Sequence, residues 1–225
     1  MRLHIEALFT HDASGDMVRV NEPNGGVAPR FFLGRTAEGV ALRFRHDVEP
    51  AIRRAIETAC EKQLAQQRPL DMPTDPLPYQ QVLDRAGPVE KTWLGSAFCI
   101  PPTVRPTAPT VPVTTANAEL LRSLLEPWLE DVPVCQPMLA VIADDRAVSL
   151  CCSGRQTKAA HEAAVETAIA YRNRGYGSQV VRAWAQAVYA ARALPFYSIA
   201  WENSASRAVM RKLEVVSFGT DLHIT

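Results

Sequence analysis

The sequence predicts an α/β (α+β) fold, in which a mixed central sheet is flanked by helices. In the C-terminal half, apolar segments at 138–152 predict a β-hairpin, and a longer strand is expected at 159–168. A turn with two glycines then precedes an apolar helical stripe, and another strand-like segment follows at 196–201. The order of strand, glycine turn, helix and strand is typical of α/β proteins.

Residues 1–110 and 111–225 differ in composition and in their predicted elements, and this difference predicts two domains. The first is an α+β region that ends in a proline-rich linker, and the second contains the glycine turn. Prolines recur from 69 to 112, where fixed φ angles and missing N–H donors disfavour long regular elements. Within this stretch we expect one strand at 93–100 and an extended linker at 101–114. The role of the first region is left open by its sequence.

Three further elements are expected from local patterns. Two strands at 30–35 and 40–45 flank a turn and predict a second hairpin. A helix follows, with Asp47 as its candidate cap and Pro50 in its first turn. Leucines and a tryptophan at helical spacing predict another helix at 120–128.

Composition and charge exclude several classes of function. The chain carries 24 basic and 24 acidic side chains, so no general attraction to nucleic acid or to an anionic membrane is expected. It contains neither a membrane-spanning apolar run nor a signal-peptide core, and a cytoplasmic protein is expected. The five cysteines suggest no disulfide framework, and Cys151 and Cys152 should face opposite sides of a strand. No His or Cys group has zinc spacing, so no metal site is expected.

The glycine turn, at residues 172–177, supplies the groups that could bind an anion at the predicted site. A helix N-terminus has unpaired N–H groups and a partial positive charge. Gly175 and Gly177 let the backbone approach an anion, and Arg172 and Arg174 add charge beside it. The spacing matches neither the P-loop nor the Gly-x-Gly-x-x-Gly pattern. Taken alone, the turn is either a phosphate site or only a tight connection.

Two motifs in the second half of the chain together match the pattern of a known protein family. The first family motif is Gln/Arg-x-x-Gly-x-Gly/Ala between a strand and a helix, and Arg172, Gly175 and Gly177 match it. The second is Asn-x-x-Ala-x-x-Leu-Tyr-x-Lys-Leu-Gly-Phe after the next strand. Its matching residues are Asn203, Lys212 and Leu213, with Ser206 and Val209 as mild replacements. The chain departs from the motif at Met210, Glu214 and Val215. With these matches the chain resembles the GNAT superfamily of acetyl-CoA-dependent N-acetyltransferases, and the resemblance covers roughly residues 138 to 220.

The resemblance implies a splayed central sheet and acetyl-CoA as the cosubstrate. Backbone N–H groups at 172–178 would hold the pyrophosphate, and the main chain of Val165 and Thr167 would pair with the pantetheine arm. Strands around Glu166 and Tyr197 would part to admit the thioester. The implied cofactor-binding residues are Val165, Thr167, Arg172, Arg174, Gly175, Tyr176, Gly177, Ser178, Asn203 and Ser206.

Acetyl transfer to an amine requires a base, because only about one lysine-like amine in a few thousand is neutral at pH 7. Glu162 and Glu166 are the candidate bases, since they lie on one face of the predicted strand. Glu166 could instead anchor the substrate amine, and either glutamate could be solvated or paired with Arg155 or Arg182. The main-chain N–H of Val165 is the candidate donor to the thioester oxygen.

The proton donor to the leaving thiolate is less clearly marked. The tyrosine that many family members use for this step falls at Met210, which cannot donate a proton. Tyr197 is the candidate replacement, and the remaining alternatives are Tyr171, Tyr176 and Ser198. The thiolate could also leave without a dedicated acid.

Three functional hypotheses follow. The first is an N-acetyltransferase that transfers acetyl from acetyl-CoA to a primary amine of a small molecule or peptide, by direct attack in a ternary complex. In this case the first half of the chain would cover the active site. The second is a catalytically weak or inactive acyl-CoA-binding regulatory module, favoured by Met210. The third assigns residues 1–110 a scaffolding role, for example in a homodimer.

Overall fold

The computed structural model describes residues 1–65 and 69–225. Its α-helices are α1 (Arg2–Leu8), α2 (Pro50–Leu64), α3 (Leu77–Leu83), α4 (Tyr176–Ala190) and α5 (Ser204–Met210). The strands of the first half are β1 (Phe9–His11), β2 (Met17–Val20), β3 (Phe31–Thr36), β4 (Gly39–Phe44) and β5 (Thr92–Cys99). Those of the second half are β6 (Val111–Pro112), β7 (Met138–Ala143), β8 (Arg146–Gln156), β9 (Ala160–Thr167), β10 (Leu194–Ala200) and β11 (Val216–Ile224).

One nine-stranded sheet joins both halves of the chain, in the order β4-β3-β11-β5-β10-β9-β8-β7-β6. β9 and β10 are parallel, and the other neighbouring strands are antiparallel. β5 lies between β10 and β11, although it precedes both by about a hundred residues. The boundary expected at residue 110 therefore does not separate two sheets. The mixed α/β architecture expected from the sequence is confirmed.

The helix after the glycine turn builds the core on one face of the sheet. α4 packs its apolar stripe against the C-terminal strands, and Trp184 on that stripe is fully buried. Its indole Nε1 donates a hydrogen bond to Ser153 Oγ at 3.0 Å. This partner satisfies the only polar atom of a large apolar side chain, so Trp184 can stay in the core. On the other face, α1 packs against β8 and β9.

The two hairpins form as their sequence patterns predict. β3 and β4 pair in register from Phe31↔Phe44 to Thr36↔Gly39. β7 and β8 are joined at Asp144 and Asp145, whose φ values of 51° and 58° are left-handed. Aspartate tolerates this conformation better than most residues, and it suits a tight hairpin.

Several local expectations are wrong. The helix expected at 120–128 is two 3₁₀ segments, Ala118–Leu121 and Glu126–Trp128, because the backbone leaves the helical region at Arg122 and at Ser123, whose φ is 72°. Asp47 does not cap α2: Glu49 is the N-cap, and Asp47 pairs with Arg45 Nε at 2.6 Å.

Two helices were not expected. α1 is too short for a clear period, and α3 lies in the proline-rich stretch, with Pro78 in its first turn. In the described ranges no helix is long and apolar enough to span a membrane.

Candidate active site

The glycine turn bends the chain sharply between β9 and α4. Asn173 and Gly175 both have positive φ, 63° and 87°, and Gly175 is the N-cap of α4. In the described part of the chain no side-chain hydrogen bond caps this helix, so its first N–H groups face outward. A Cβ on Gly177 would lie 3.1 Å from Val209 Cγ2, so glycine permits the close approach of α4 to α5. The turn thus presents a bare helix N-terminus, which suits an anion.

β9 and β10 part just before this turn. Their parallel ladder runs only from Ala160↔Leu194 to Glu162↔Phe196, and further along the two strands are unpaired with each other. We call this place the split.

The main chain of Val165 and Thr167 faces the split. Leu194 N–H donates to Ala159 O, so residues 161, 163, 165 and 167 of β9 direct their backbone groups toward β10. The hydrogen bond from Ala168 N–H to Val148 O indicates that the even-numbered residues of β9 direct their backbone groups toward β8. This agrees with the alternation along the strand. Val165 and Thr167, the two strand residues of the implied pantetheine site, therefore have backbone N–H and C=O groups that do not pair with β10. An added strand would need such groups to form hydrogen bonds.

A cavity of about 440 Å³ lies between the split, the glycine turn and α5. Nine of the ten residues expected to bind the cofactor line it, namely Val165, Thr167, Arg172, Gly175, Tyr176, Gly177, Ser178, Asn203 and Ser206. Arg174 is the exception, and its guanidinium lies over the Tyr171 ring at 5.2 Å. Asn203 caps α5, because its Oδ1 accepts a hydrogen bond from Ser206 N at 2.9 Å. We call this space the coenzyme cavity.

Tyr197 lines the coenzyme cavity from β10. Its hydroxyl donates a weak hydrogen bond to Ser206 Oγ at 3.4 Å, and only 4% of the residue is exposed. Burial raises the pKa of Tyr197 to about 12, so the phenol is protonated at neutral pH. Met210 packs in the core, where 5% of it is exposed. Among the candidate phenols, Tyr197 is the one carried by β10 beside the split, whereas Tyr176 belongs to α4 and Tyr171 bonds to Asp144 at 2.7 Å.

A second cavity, of about 550 Å³, opens on the opposite face of the sheet. Glu162 and Ser198 line it at the split, and the first half of the chain contributes Phe9, Glu22, Lys91 and Trp93. Glu22 forms an ion pair with Arg155 at the rim. We call this space the acceptor cavity. Both cavities reach the split, one from each face.

The two candidate bases occupy different places. Glu162 is 6% exposed and lines the acceptor cavity. Glu166 is exposed, lines the coenzyme cavity, and accepts a hydrogen bond from Trp128 Nε1 at 2.7 Å. Neither forms the arginine pair considered from the sequence, since Arg155 pairs with Glu22 and Arg182 bonds to Lys212 O. Burial beside the split makes Glu162 the better placed of the two.

Sequence reasoning missed a buried cluster behind Glu162. His4 of α1 is fully buried, with Nδ1 at 3.3 Å from Glu162 Oε2 and Nε2 at 3.0 Å from Asp221 Oδ2. The same Asp221 oxygen lies 3.3 Å from His223 Nε2. His161 faces the other side, where Nδ1 lies 2.7 Å from Ser153 Oγ. Across the described residues, no group of three His, Cys, Asp or Glu is arranged to hold a metal ion.

Comparisons with known proteins agree with this architecture. A family model described as FR47-like protein matches residues 146–218. A putative GNAT-family acetyltransferase from Novosphingobium aromaticivorans is 14% identical with a TM-score of 0.51, over 60% of this chain and 65% of that one. A GCN5-related N-acetyltransferase from Kribbella flavida is 17% identical with a TM-score of 0.50, over 98% and 91% of the two chains. No curated protein sequence matches.

The first similarity thus spans less than two thirds of the Novosphingobium protein, while the second includes the N-terminal half of this chain. Both concern backbone architecture at low identity. The family-model match falls on the segment that carries β8, β9, the glycine turn, α4, β10 and α5. The chain therefore has the fold of the GNAT superfamily.

Proposed function

We propose that the protein is an N-acetyltransferase, which transfers acetyl from acetyl-CoA to a primary amine of a small molecule or peptide by direct attack in a ternary complex. The observation that carries the proposal is the split, because one cavity reaches it from each face of the sheet. Coenzyme and acceptor could then meet there without exchanging places.

The coenzyme cavity supplies groups that suit acetyl-CoA. The start of α4 and Arg172 provide a positive end for the pyrophosphate. The free main chain of Val165 and Thr167 supports the pantetheine as an extra strand would. The Val165 N–H then lies at the split, where it can donate to the thioester oxygen as negative charge develops there.

Glu162 serves as the base from the acceptor cavity. An ammonium that enters this cavity must lose a proton before its nitrogen can attack the thioester carbon. Glu162 lies where the cavity meets the split and is almost fully shielded from water. The attack forms the new C–N bond, the attached nitrogen releases its second proton to water, and collapse of the tetrahedral species breaks the C–S bond and releases coenzyme A as a thiolate.

Tyr197 stabilises that thiolate mainly as a hydrogen-bond donor. The pKa of its phenol is about 12, whereas an ordinary thiol has a pKa of about 8.5. Complete transfer of the proton from phenol to thiolate would therefore be uphill by about 5 kcal/mol. A hydrogen bond to the charged sulfur needs no such transfer.

Tyr197→Phe should lower kcat roughly 10- to 100-fold, because a hydrogen bond to a charged group contributes about 1.5–3 kcal/mol. Acetyl-CoA affinity should change little, since the ring remains. Tyr189→Phe is the matched control: burial likewise raises its pKa to about 12, but its hydroxyl bonds to Ile100 O, outside both cavities. Equal kcat values for the two variants would remove Tyr197 from the mechanism.

Gly177→Leu should weaken acetyl-CoA binding roughly five- to 150-fold, because overpacking at the crowded contact with Val209 costs about 1–3 kcal/mol. Titration calorimetry measures this affinity. Gly26→Leu is the control, since a Cβ at Gly26 meets no atom within 4 Å. Unchanged binding by the Gly177 variant would place the coenzyme elsewhere.

The proposal as a whole is tested by two measurements on the intact chain. Calorimetry with acetyl-CoA should show binding. Release of coenzyme A thiol should follow addition of a primary amine from a panel of polyamines, aminosugars and peptides. The regulatory alternative, which Met210 favours, requires binding without thiol release for the entire panel. Absence of acetyl-CoA binding would refute both.

A further inference from the structure

Glu162 belongs to a buried chain of acidic and histidine side chains that come from three separate elements. His4 comes from α1, Glu162 from β9, and Asp221 and His223 from β11. The His4 and Asp221 side chains are fully buried, and 8% of the Glu162 side chain is exposed. His223 lines the acceptor cavity, with Trp93 stacked on its ring at 4.7 Å. The chain of contacts therefore begins and ends at the acceptor cavity.

His4 sits between two carboxylates and contacts each through a different ring nitrogen. Nε2 and Asp221 Oδ2 are hydrogen-bonded at 3.0 Å. Nδ1 and Glu162 Oε2 are 3.3 Å apart, close enough for an ion pair but not aligned as a hydrogen bond. A buried carboxylate such as Glu162 needs a charged partner, and in the described parts of the chain His4 is the only cation paired with it.

We propose that His4 is a positioning residue, whose imidazolium holds the Glu162 carboxylate at the split and thereby makes the N-terminal helix part of the active site. This inference rests on the proposed function, in which Glu162 is the base. His4 itself touches neither substrate, because its side chain is fully buried. Asp221 anchors the far side of the ring and fixes its orientation.

The charge state of His4 agrees with this role. Burial alone would lower its pKa, but the hydrogen bond to Asp221 and the charge interactions with Glu162 and Asp221 outweigh burial and raise the pKa to about 9. Burial lowers the pKa of His223, so His223 is neutral at neutral pH, and Arg155 also disfavours its charged form. Ser198 Oγ lies 3.5 Å from His4 Nε2, but a protonated imidazole cannot activate this hydroxyl as a nucleophile.

Two substitutions of His4 separate positioning from simple packing. The amide nitrogen of asparagine replaces Nδ1 and can still reach Glu162, whereas that of glutamine replaces Nε2 and can still reach Asp221. If His4 positions Glu162, His4→Asn should retain at least about tenfold more kcat than His4→Gln, with KM for acetyl-CoA unchanged in both. If His4 only pins α1 to β11, His4→Gln should be the more active variant, and that order would overturn the proposal.

The pH dependence gives a second kinetic readout. Wild-type kcat should fall as the pH rises through about 9, because His4 loses its proton. This alkaline limb of the pH profile should be absent in both His4 variants. Arg2→Gln is the control on the same helix: Arg2 pairs with Glu6 at 3.1 Å, its side chain is 74% exposed, and its loss should leave the profile intact. Thermal unfolding and acetyl-CoA binding establish that each variant is folded. An unchanged alkaline limb in both variants would contradict the proposal.

A spectroscopic measurement keeps the inference independent of turnover. Nitrogen-15 NMR of the His4 ring should show an imidazolium up to about pH 9 in the wild-type chain. Glu162→Gln should lower this pKa by about one to three units, since an opposite charge is lost at close range. If the His4 pKa does not move, the two residues are uncoupled and the inference fails. Turnover of no amine, combined with a clear NMR shift, would refute the proposed function and leave the pairing established.

Discussion

Glu162→Gln is expected to lower kcat by about 10²- to 10⁴-fold, the usual contribution of a positioned general base. The amide keeps the size of the carboxylate but cannot accept the proton of an ammonium at neutral pH. Acetyl-CoA affinity should stay within about twofold, because Glu162 lines the acceptor cavity and not the coenzyme cavity. Steady-state thiol release and calorimetry measure the two quantities separately.

Glu166→Gln is the matched control for this experiment. It lies four residues along the same strand, but its carboxylate is exposed and accepts a hydrogen bond from Trp128 Nε1 at 2.7 Å. A glutamine oxygen can still accept that bond, so kcat should fall less than about tenfold. A larger loss in Glu166→Gln than in Glu162→Gln would transfer the base to Glu166. Equal activity of both variants and the wild type would indicate that water alone deprotonates the amine.

The residues that line the coenzyme cavity could be predicted from the sequence because the patterns that mark them are local. Gly175 and Gly177 stand in a short turn where a positive φ and a close helix approach exclude most other residues. Asn203 is recognisable for a similar reason, since it caps a helix that begins at the next residue. Such positions depend on neighbours within a few residues, and spacing along the chain therefore records them.

The buried residues behind the acceptor cavity could not be predicted in this way. His4 and Asp221 are 217 positions apart, and nothing near either residue indicates the other. A histidine near a chain end has no periodic pattern to distinguish it, and α1 is only seven residues long. Burial turns these two ordinary residues into an ion pair behind Glu162, in which only His4 contacts Glu162, and burial here is a property of the assembled sheet.

The division into two domains at residue 110 followed a real change in composition, but composition does not report strand order. β5 lies inside the proline-rich stretch and is separated from its neighbours β10 and β11 by the remainder of that stretch and most of the second half. Strands that neighbour in space usually neighbour in sequence, and this one is an exception. The proline-rich stretch therefore contains a strand, β5, that the second half needs to complete its sheet.

Residues 111–225 expressed alone are consequently expected not to fold. Their sheet would lack β5, which pairs with β10 from Phe196↔Cys99 to Ala200↔Gly95 and with β11 from Val216↔Cys99 to Ile224↔Thr92. At about 1 kcal/mol for each ladder hydrogen bond, the loss approaches the total stability of an ordinary domain, about 5–15 kcal/mol. Both newly exposed strand edges would also favour aggregation. Circular dichroism and urea unfolding should show no cooperative transition for this fragment.

Coexpression of residues 1–110 with residues 111–225 should restore a one-to-one complex that binds acetyl-CoA. The control is the full chain with a protease site inserted at the exposed Thr107, cleaved after folding, whose halves should remain associated during gel filtration. In both preparations β5 can occupy its place between β10 and β11, so the covalent connection is dispensable while the strand is not. A cooperative, coenzyme-binding fragment 111–225 would instead establish the two independent domains that the sequence predicts.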